Sequence, residues 1–286
     1  MTENIDVEVD ESNLPRRVER RPIGAPSVIV DDLHITYRVF GARRGGTTQD
    51  RKSLWDRAVS LGRPDTGPIT HVPAVRGVSF VAHHGESIGI LGTNGSGKST
   101  LLRAVAGLLP PTSGRVFTSA EPELLGVNAA LLPRLTGERN IIIGGLALGL
   151  NAKEVRRSVP DVADFAELGD FLYLPMSSYS SGMASRLRFA ISTIRSPEIL
   201  MIDEALATGD ASFRKKSMAR IEQIRDKAGT VFFVSHSLAS VRAMCTRALW
   251  IDKGVLVADG DVDEVADAYH AYVEGRTDAS SGAKLS

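Results

Sequence analysis

Gly92-Thr93-Asn94-Gly95-Ser96-Gly97-Lys98-Ser99-Thr100 matches the pattern G-x-x-x-x-G-K-[ST], whose glycines let backbone N–H groups curl around phosphates at a helix start. In that arrangement Lys98 pairs with β and γ phosphates, and Ser99 supplies a hydroxyl to Mg2+, a small hard cation that prefers oxygen ligands. A second group of residues completes the chemistry. Ile199-Leu200-Met201-Ile202-Asp203-Glu204 is an apolar strand ending in two carboxylates. Asp203 is placed to hold Mg2+ directly or through water, and Glu204 to polarise the water that attacks the γ-phosphate in line. Taken alone, the pair also fits a strand meeting a solvated acidic turn; the glycine loop favours the catalytic reading.

His236 follows the apolar strand Phe232-Phe233-Val234-Ser235. A lone histidine there is more often structural, but a position one strand after the paired carboxylates gives it reason to touch the γ-phosphate and to orient Glu204 and water. His34, His71, His83 and His84 have no such placement. Tyr179-Ser180-Ser181-Gly182-Met183 precedes a helix carrying Arg186 and Arg188 and reads as a cap, with Ser180 or Ser181 as N-cap. A helix start of that kind can also cradle an anion.

These residues need elements to hold them. Val28 to Phe40 reads as a strand, with Leu33, Ile35, Tyr37 and Val39 in period-two alternation, and a second strand follows at Val75 to Val81. Ser87 to Leu91 is a buried strand running into the glycine loop, and Ser99 to Leu109 continues with helical spacing. Glu138 to Val159, Asp161 to Phe171 and Ser181 to Arg195 are expected to be helices. Strands resume at Ile199 to Ile202, Thr230 to Val234 and Ala248 to Ile251, alternating with helices as in a mostly parallel sheet. A helix from Val262 to Val273 and a short polar tail close the chain.

With 286 residues, 43% of them apolar, the chain can bury a sizeable core. Lysine plus arginine equals aspartate plus glutamate at 34 each, so there is no global basic field and no nucleic-acid partner is expected. The single cysteine, Cys245, excludes an intramolecular disulfide and reads as a core thiol. Residues 1–27 lack an apolar run and are expected to form a disordered tail. The longest apolar stretches, such as Ile141 to Leu150, fall short of the ~20 residues that cross a bilayer. Work at a membrane therefore requires a separate integral subunit.

The ordered series of phosphate loop, Tyr179 to Met183, Asp203-Glu204, Asp210 and His236 resembles the ABC ATPase domain, over about Val28 to Tyr272. The resemblance implies an α/β P-loop NTPase with a RecA-like core: an ABC ATPase domain at 28–260 that includes a helical signature subdomain at 134–196, then a C-terminal helix and tail at 261–286. Tyr179 to Met183 looks like a variant of the family's signature, so Ser180, Ser181 and Gly182 would contact ATP held by the opposite subunit of a homodimer. Asp210 falls where the family has its D-loop aspartate. Tyr37 sits where the family stacks an aromatic on adenine, although a strand aromatic in the core is an equal reading. The family's Q-loop glutamine is missing: Asn128 stands in, or the contact is absent.

Leu135-Thr136-Gly137-Glu138-Arg139-Asn140, the signature variant and Asp203-Glu204-Ala205-Leu206 look like polysaccharide and teichoic-acid exporters. That branch implies export of a polyprenyl-pyrophosphate-linked polymer through an integral-membrane permease, with the ATPase on the cytoplasmic face of the plasma membrane. It also implies a role for the insertion 41–73, in which Leu54, Ala58 and Leu61 lie at helical spacing beside Trp55, Arg51, Lys52, Arg57 and Arg63. Apolar and cationic groups together suit a membrane interface, and exporters of this branch are thought to gate the lipid pyrophosphate there. A solvated loop with one packed tryptophan is the plainer alternative. A soluble ABC ATPase acting on DNA or ribosomes is the rival function, which a long coiled coil or two fused cassettes would have signalled.

Overall fold

The computed structural model describes residues 17–39, 70–125, 131–203, 211–235 and 237–282. Two sheets organise them. Strands β1 (Pro26–Val39), β2 (Thr70–His83) and β4 (Ser113–Thr118) form an antiparallel sheet in the order β2-β1-β4. The larger sheet adds β3 (Ser87–Leu91), β5 (Pro122–Leu124), β6 (Ile199–Asp203), β7 (Thr230–Val234), β8 (Arg247–Asp252) and β9 (Val255–Asp261), in the order β5-β6-β7-β3-β8-β9. Its strands run parallel except β9, which returns antiparallel to β8.

Every residue of β3 and β7 is buried, as expected for parallel strands covered on both faces. On β1, Val28, Val30, Leu33 and Ile35 face inward while Tyr37 and Val39 emerge. Helix α1 (Lys98–Val105) lays Leu101 and Leu102 against that inner layer, each fully buried and worth about 1.5–3 kcal/mol. β2 begins at Thr70, so residues 70–73, expected within the insertion, pair with β1; the rest of the insertion, including Trp55, lies outside the described residues.

The helical subdomain departs from the expected boundaries. Helix α2 (Gly137–Ala147) stops early, and α3 (Ala152–Phe165) starts afresh in place of one helix through Val159. Asn151 causes the restart: its side chain accepts from the N–H groups of Lys153 and Glu154, while Glu154 accepts from the Asn151 N–H at 2.9 Å. Pro160 sits inside α3 and does not divide it. Short 3-10 turns at Gly169–Tyr173 and Met176–Ser178 replace the helical end expected near Phe171 and lead to α4 (Ser181–Ser192).

Helices α5 (Ala211–Lys227) and α6 (Leu238–Met244) connect the strands from β6 to β8. Helix α7 (Val262–Gly282) continues past the expected end at Val273, and buries Val262, Val265 and Ala266 in the main core. Residues 17–25, assigned above to a disordered tail, lie along the domain. The Val18 N–H donates to the Ala243 carbonyl, Arg17 pairs with Asp263, and Arg20 pairs with Asp261.

Candidate functional site

The loop between β3 and α1 emerges at the C-terminal edge of the parallel sheet, where β6 also ends and its Asp203 registers with Val234 of β7. Gly97, the residue before α1, adopts φ 109°, and a Cβ there would collide with the Ala74 carbonyl. Only glycine fits that left-handed, crowded position. The result is a cleft of about 220 Å3 lined by Ala74, Asn94, Gly95, Lys98, Ser99 and Asp203 among others.

Lys98 is buried, and its ammonium donates to the carbonyls of Gly92 at 2.5 Å and Thr93 at 3.0 Å. Burial pulls its pKa below the ordinary lysine range, with the Asp203 carboxylate opposing that shift. A buried cation that is offset only in part by one carboxylate suits an incoming anion. Ser99 Oγ donates to Asp203 Oδ2 at 3.4 Å, so the two predicted Mg2+ ligands meet although 104 positions apart. A hydroxyl and a carboxylate are an oxygen donor set that fits Mg2+. Tyr37 Oη lies 3.3 Å from Thr100 Oγ1, which brings the predicted adenine-stacking ring to the start of α1.

Ser180 caps α4 by accepting from the Met183 N–H at 3.1 Å, as its position predicts. Ser180, Ser181 and Gly182 are exposed, and none of them lines the cleft. Glu204, Asp210, His236 and Asn128 lie outside the described residues.

Two residues of structural consequence escaped sequence reasoning. Tyr179 donates its hydroxyl to the Phe171 carbonyl at 2.7 Å, and a Cβ on Gly137 would strike that hydroxyl. Asn140, 1% exposed, binds the turn before α2 through its side chain, accepting from the Leu132 N–H and donating to the carbonyls of Leu132, Leu135 and Thr136. Both bind backbone carbonyls. The polar residue inside an apolar helical face, Asn140 beside Ile141, was the available signal.

Residues 75–207 match the family model described as ABC transporter. Relatives that match this chain include several that bear the name teichoic acids export ATP-binding protein TagH. The one from Staphylococcus haemolyticus is 42% identical over 70% of this chain and 76% of the relative. This chain belongs to the ABC transporter ATP-binding family. Its relative from Bacillus anthracis is 41% identical over 70% of the chain, and the one from Listeria innocua 39% over 77%. The match spans 37% of the Bacillus anthracis protein and 65% of the Listeria innocua protein.

Solved ABC structures share the fold. A structure of an ATP-binding subunit of an ABC transporter superposes with TM-score 0.63 at 20% identity, covering 85% of this chain and 93% of that one. A dimeric bacterial ABC transporter cassette gives TM-score 0.59 at 20% identity over 82% of this chain and 98% of that one. The expected fold class, a P-loop ABC ATPase, is therefore the observed one.

Proposed function

We propose that this ABC ATPase hydrolyses ATP to export a polyprenyl-pyrophosphate-linked cell-wall polysaccharide, of the teichoic-acid, galactan or O-antigen type, from the cytoplasmic to the outer face of the plasma membrane. The observation that carries the reading is the contact between Ser99 and Asp203 beneath a complete phosphate loop, in a chain whose relatives are named for teichoic acids export. No described helix is long and apolar enough to cross a membrane, so the reading includes a separate permease that holds the ATPase at the cytoplasmic face.

In this reading Lys98 leaves the carbonyls of Gly92 and Thr93 for the β and γ phosphates, a charge-assisted contact that exchanges neutral acceptors for anionic ones. Ser99 and Asp203 would hold Mg2+, whose charge would offset that of the phosphates. Glu204 orients water and His236 faces the γ-phosphate. Tyr37 meets adenine. Ser180, Ser181 and Gly182 stand away from the cleft of their own chain because they serve the ATP of a second copy, with Asp210 at the same junction. The relatives' names weigh against the soluble, non-transport alternative.

The test uses the purified full chain. Glu204→Gln is expected to bind Mg-ATP, to stop releasing phosphate, and to accumulate as a dimer in light scattering. Normal turnover by Glu204→Gln would move the catalytic role to another residue. In cells lacking the chain, wild type is expected to restore surface polysaccharide and Glu204→Gln is not; restoration by both would refute ATP-driven export.

A further inference from the structure

The phosphate loop leans on two segments remote in sequence. The turn between β8 and β9 passes directly beneath it: the Gly254 N–H donates to the Ser96 carbonyl at 2.7 Å. The same turn is fixed from its other side by β2, where the Arg76 N–H donates to the Gly254 carbonyl at 2.8 Å and Arg76 Nε to the Lys253 carbonyl at 2.9 Å. These backbones meet almost without side chains between them. A Cβ on Gly254 would lie 2.6 Å from the Ala74 carbonyl, the same oxygen that excludes a side chain at Gly97, and a Cβ on Gly92 would strike the Ile251 carbonyl.

Asp252 pairs with Val255, so Lys253 and Gly254 form a two-residue hairpin turn, and their φ values of 47° and 81° are the left-handed pair that such a turn favours. The C-terminal helix braces this turn. Tyr272 of α7 donates its hydroxyl to Asp252 Oδ2 at 3.1 Å, and its ring lies 4.9 Å from that of Trp250 on β8. A continuous path of contacts therefore runs from α7 through Asp252 and Gly254 to Ser96.

We infer that the β8–β9 turn is the template that holds the phosphate loop in its phosphate-ready shape, that Gly254 is its positioning residue, and that Tyr272 makes nucleotide affinity depend on the seating of α7. The inference rests on the reading of the loop as an ATP cradle. Its physical basis is preorganisation: a glycine-rich loop without a template must be ordered by the nucleotide itself, which weakens binding. None of Asp252, Gly254, Arg76 and Tyr272 contributes a wall to the cleft, so their action is through the loop.

The experiment titrates the full chain with a fluorescent ATP analogue in Mg2+ and measures steady-state ATPase kinetics beside nucleotide-free thermal unfolding. Gly254→Ala is expected to bind about tenfold more weakly and to raise KM more than it lowers kcat. Tyr272→Phe keeps the ring on Trp250 and removes only the hydroxyl bond; it is expected to weaken binding about threefold while lowering the unfolding midpoint only by the few degrees that one lost hydrogen bond costs. Lys253→Gly relaxes the left-handed pair and is expected to stay within about twofold of wild type. Wild-type affinity in both Gly254→Ala and Tyr272→Phe overturns the inference alone, as does a loss of affinity that disappears once the binding signal is corrected for the fraction unfolded at the assay temperature. Should Gly254→Ala fail to fold, Tyr272→Phe and Asp252→Asn decide. Wild-type protein that binds no nucleotide overturns the ATP reading, and this inference with it.

Discussion

Ser99 Oγ and Asp203 Oδ2 stand 3.4 Å apart at the mouth of one cleft, the first on α1 and the second at the end of β6. Each is a poor cation site alone; together they present a hydroxyl and a carboxylate to the same point. Asp203→Asn keeps the shape and removes the charge. Its nucleotide affinity in EDTA is expected to match wild type, while the Mg2+ concentration supporting half-maximal ATPase rises by about tenfold or more. A Mg2+ titration at fixed ATP measures this, and an unaltered Mg2+ requirement would show that the carboxylate only caps the loop.

Lys98 titrates below the ordinary lysine range because burial penalises its charge. The sign follows directly. Below its folded pKa the ammonium is charged in both states and the burial penalty is complete, and the nucleotide-free fold gains stability as pH rises through that value toward the ordinary lysine range. Phosphate contact has the opposite dependence, since it needs the charged form. ATP affinity is thus expected to fall at alkaline pH, before an ordinary lysine would titrate, while the nucleotide-free unfolding midpoint does not fall on account of this residue. Lys98→Met should lose nucleotide binding and keep or exceed wild-type stability at neutral pH, read by calorimetry with and without Mg-ATP.

Cys245 is buried, and desolvation pushes its thiol up to about 12. The native protein should resist iodoacetamide at pH 8 and react only on denaturation. Because the unfolded thiol ionises first, this group contributes stability that is complete below the unfolded value and declines as pH rises toward about 12. Cys245→Ala should flatten the decline in unfolding free energy that begins near pH 9 and runs toward about 12. An equal decline in both proteins would assign it to other groups.

The insertion offers a test that separates transport from chemistry. Trp55→Ala, and an Arg51/Arg57 double alanine variant, are expected to retain ATPase activity in the isolated subunit and to fail to support polymer export in cells. Full export by both would remove the gate reading. Lost ATPase activity would make the insertion a folding element.

The phosphate loop, β6 and β7 were legible because each is a local pattern: glycine spacing in one, unbroken apolar runs in the others. Strands β4 and β9 were not, since both are largely exposed edges whose partners, not their own alternation, define them. The restart at Asn151 had a local signal in Asn151-Ala152-Lys153-Glu154, the spacing of a capping box, but apolar spacing that continues across it reads as one helix; the reciprocal bond with Glu154 fixes the boundary. The partners of Tyr179 and Asn140 could not be named because they are backbone groups, which every residue carries and no sequence distinguishes; for Asn140 the polar residue beside Ile141 signalled only that a partner was needed. Gly254 was invisible for the same reason: its role depends on Ser96 and Ala74, brought near by the sheet.

Asn140 makes one terminal amide the keystone of the turn that opens the helical subdomain. Its nitrogen faces three carbonyl oxygens, so exchanging that NH2 for a single oxygen, as deamidation does, would set lone pairs against lone pairs on every side. The site therefore discriminates between two side chains of nearly equal size and shape. Chemical ageing at this position would spring the turn without altering the bulk of anything packed around it.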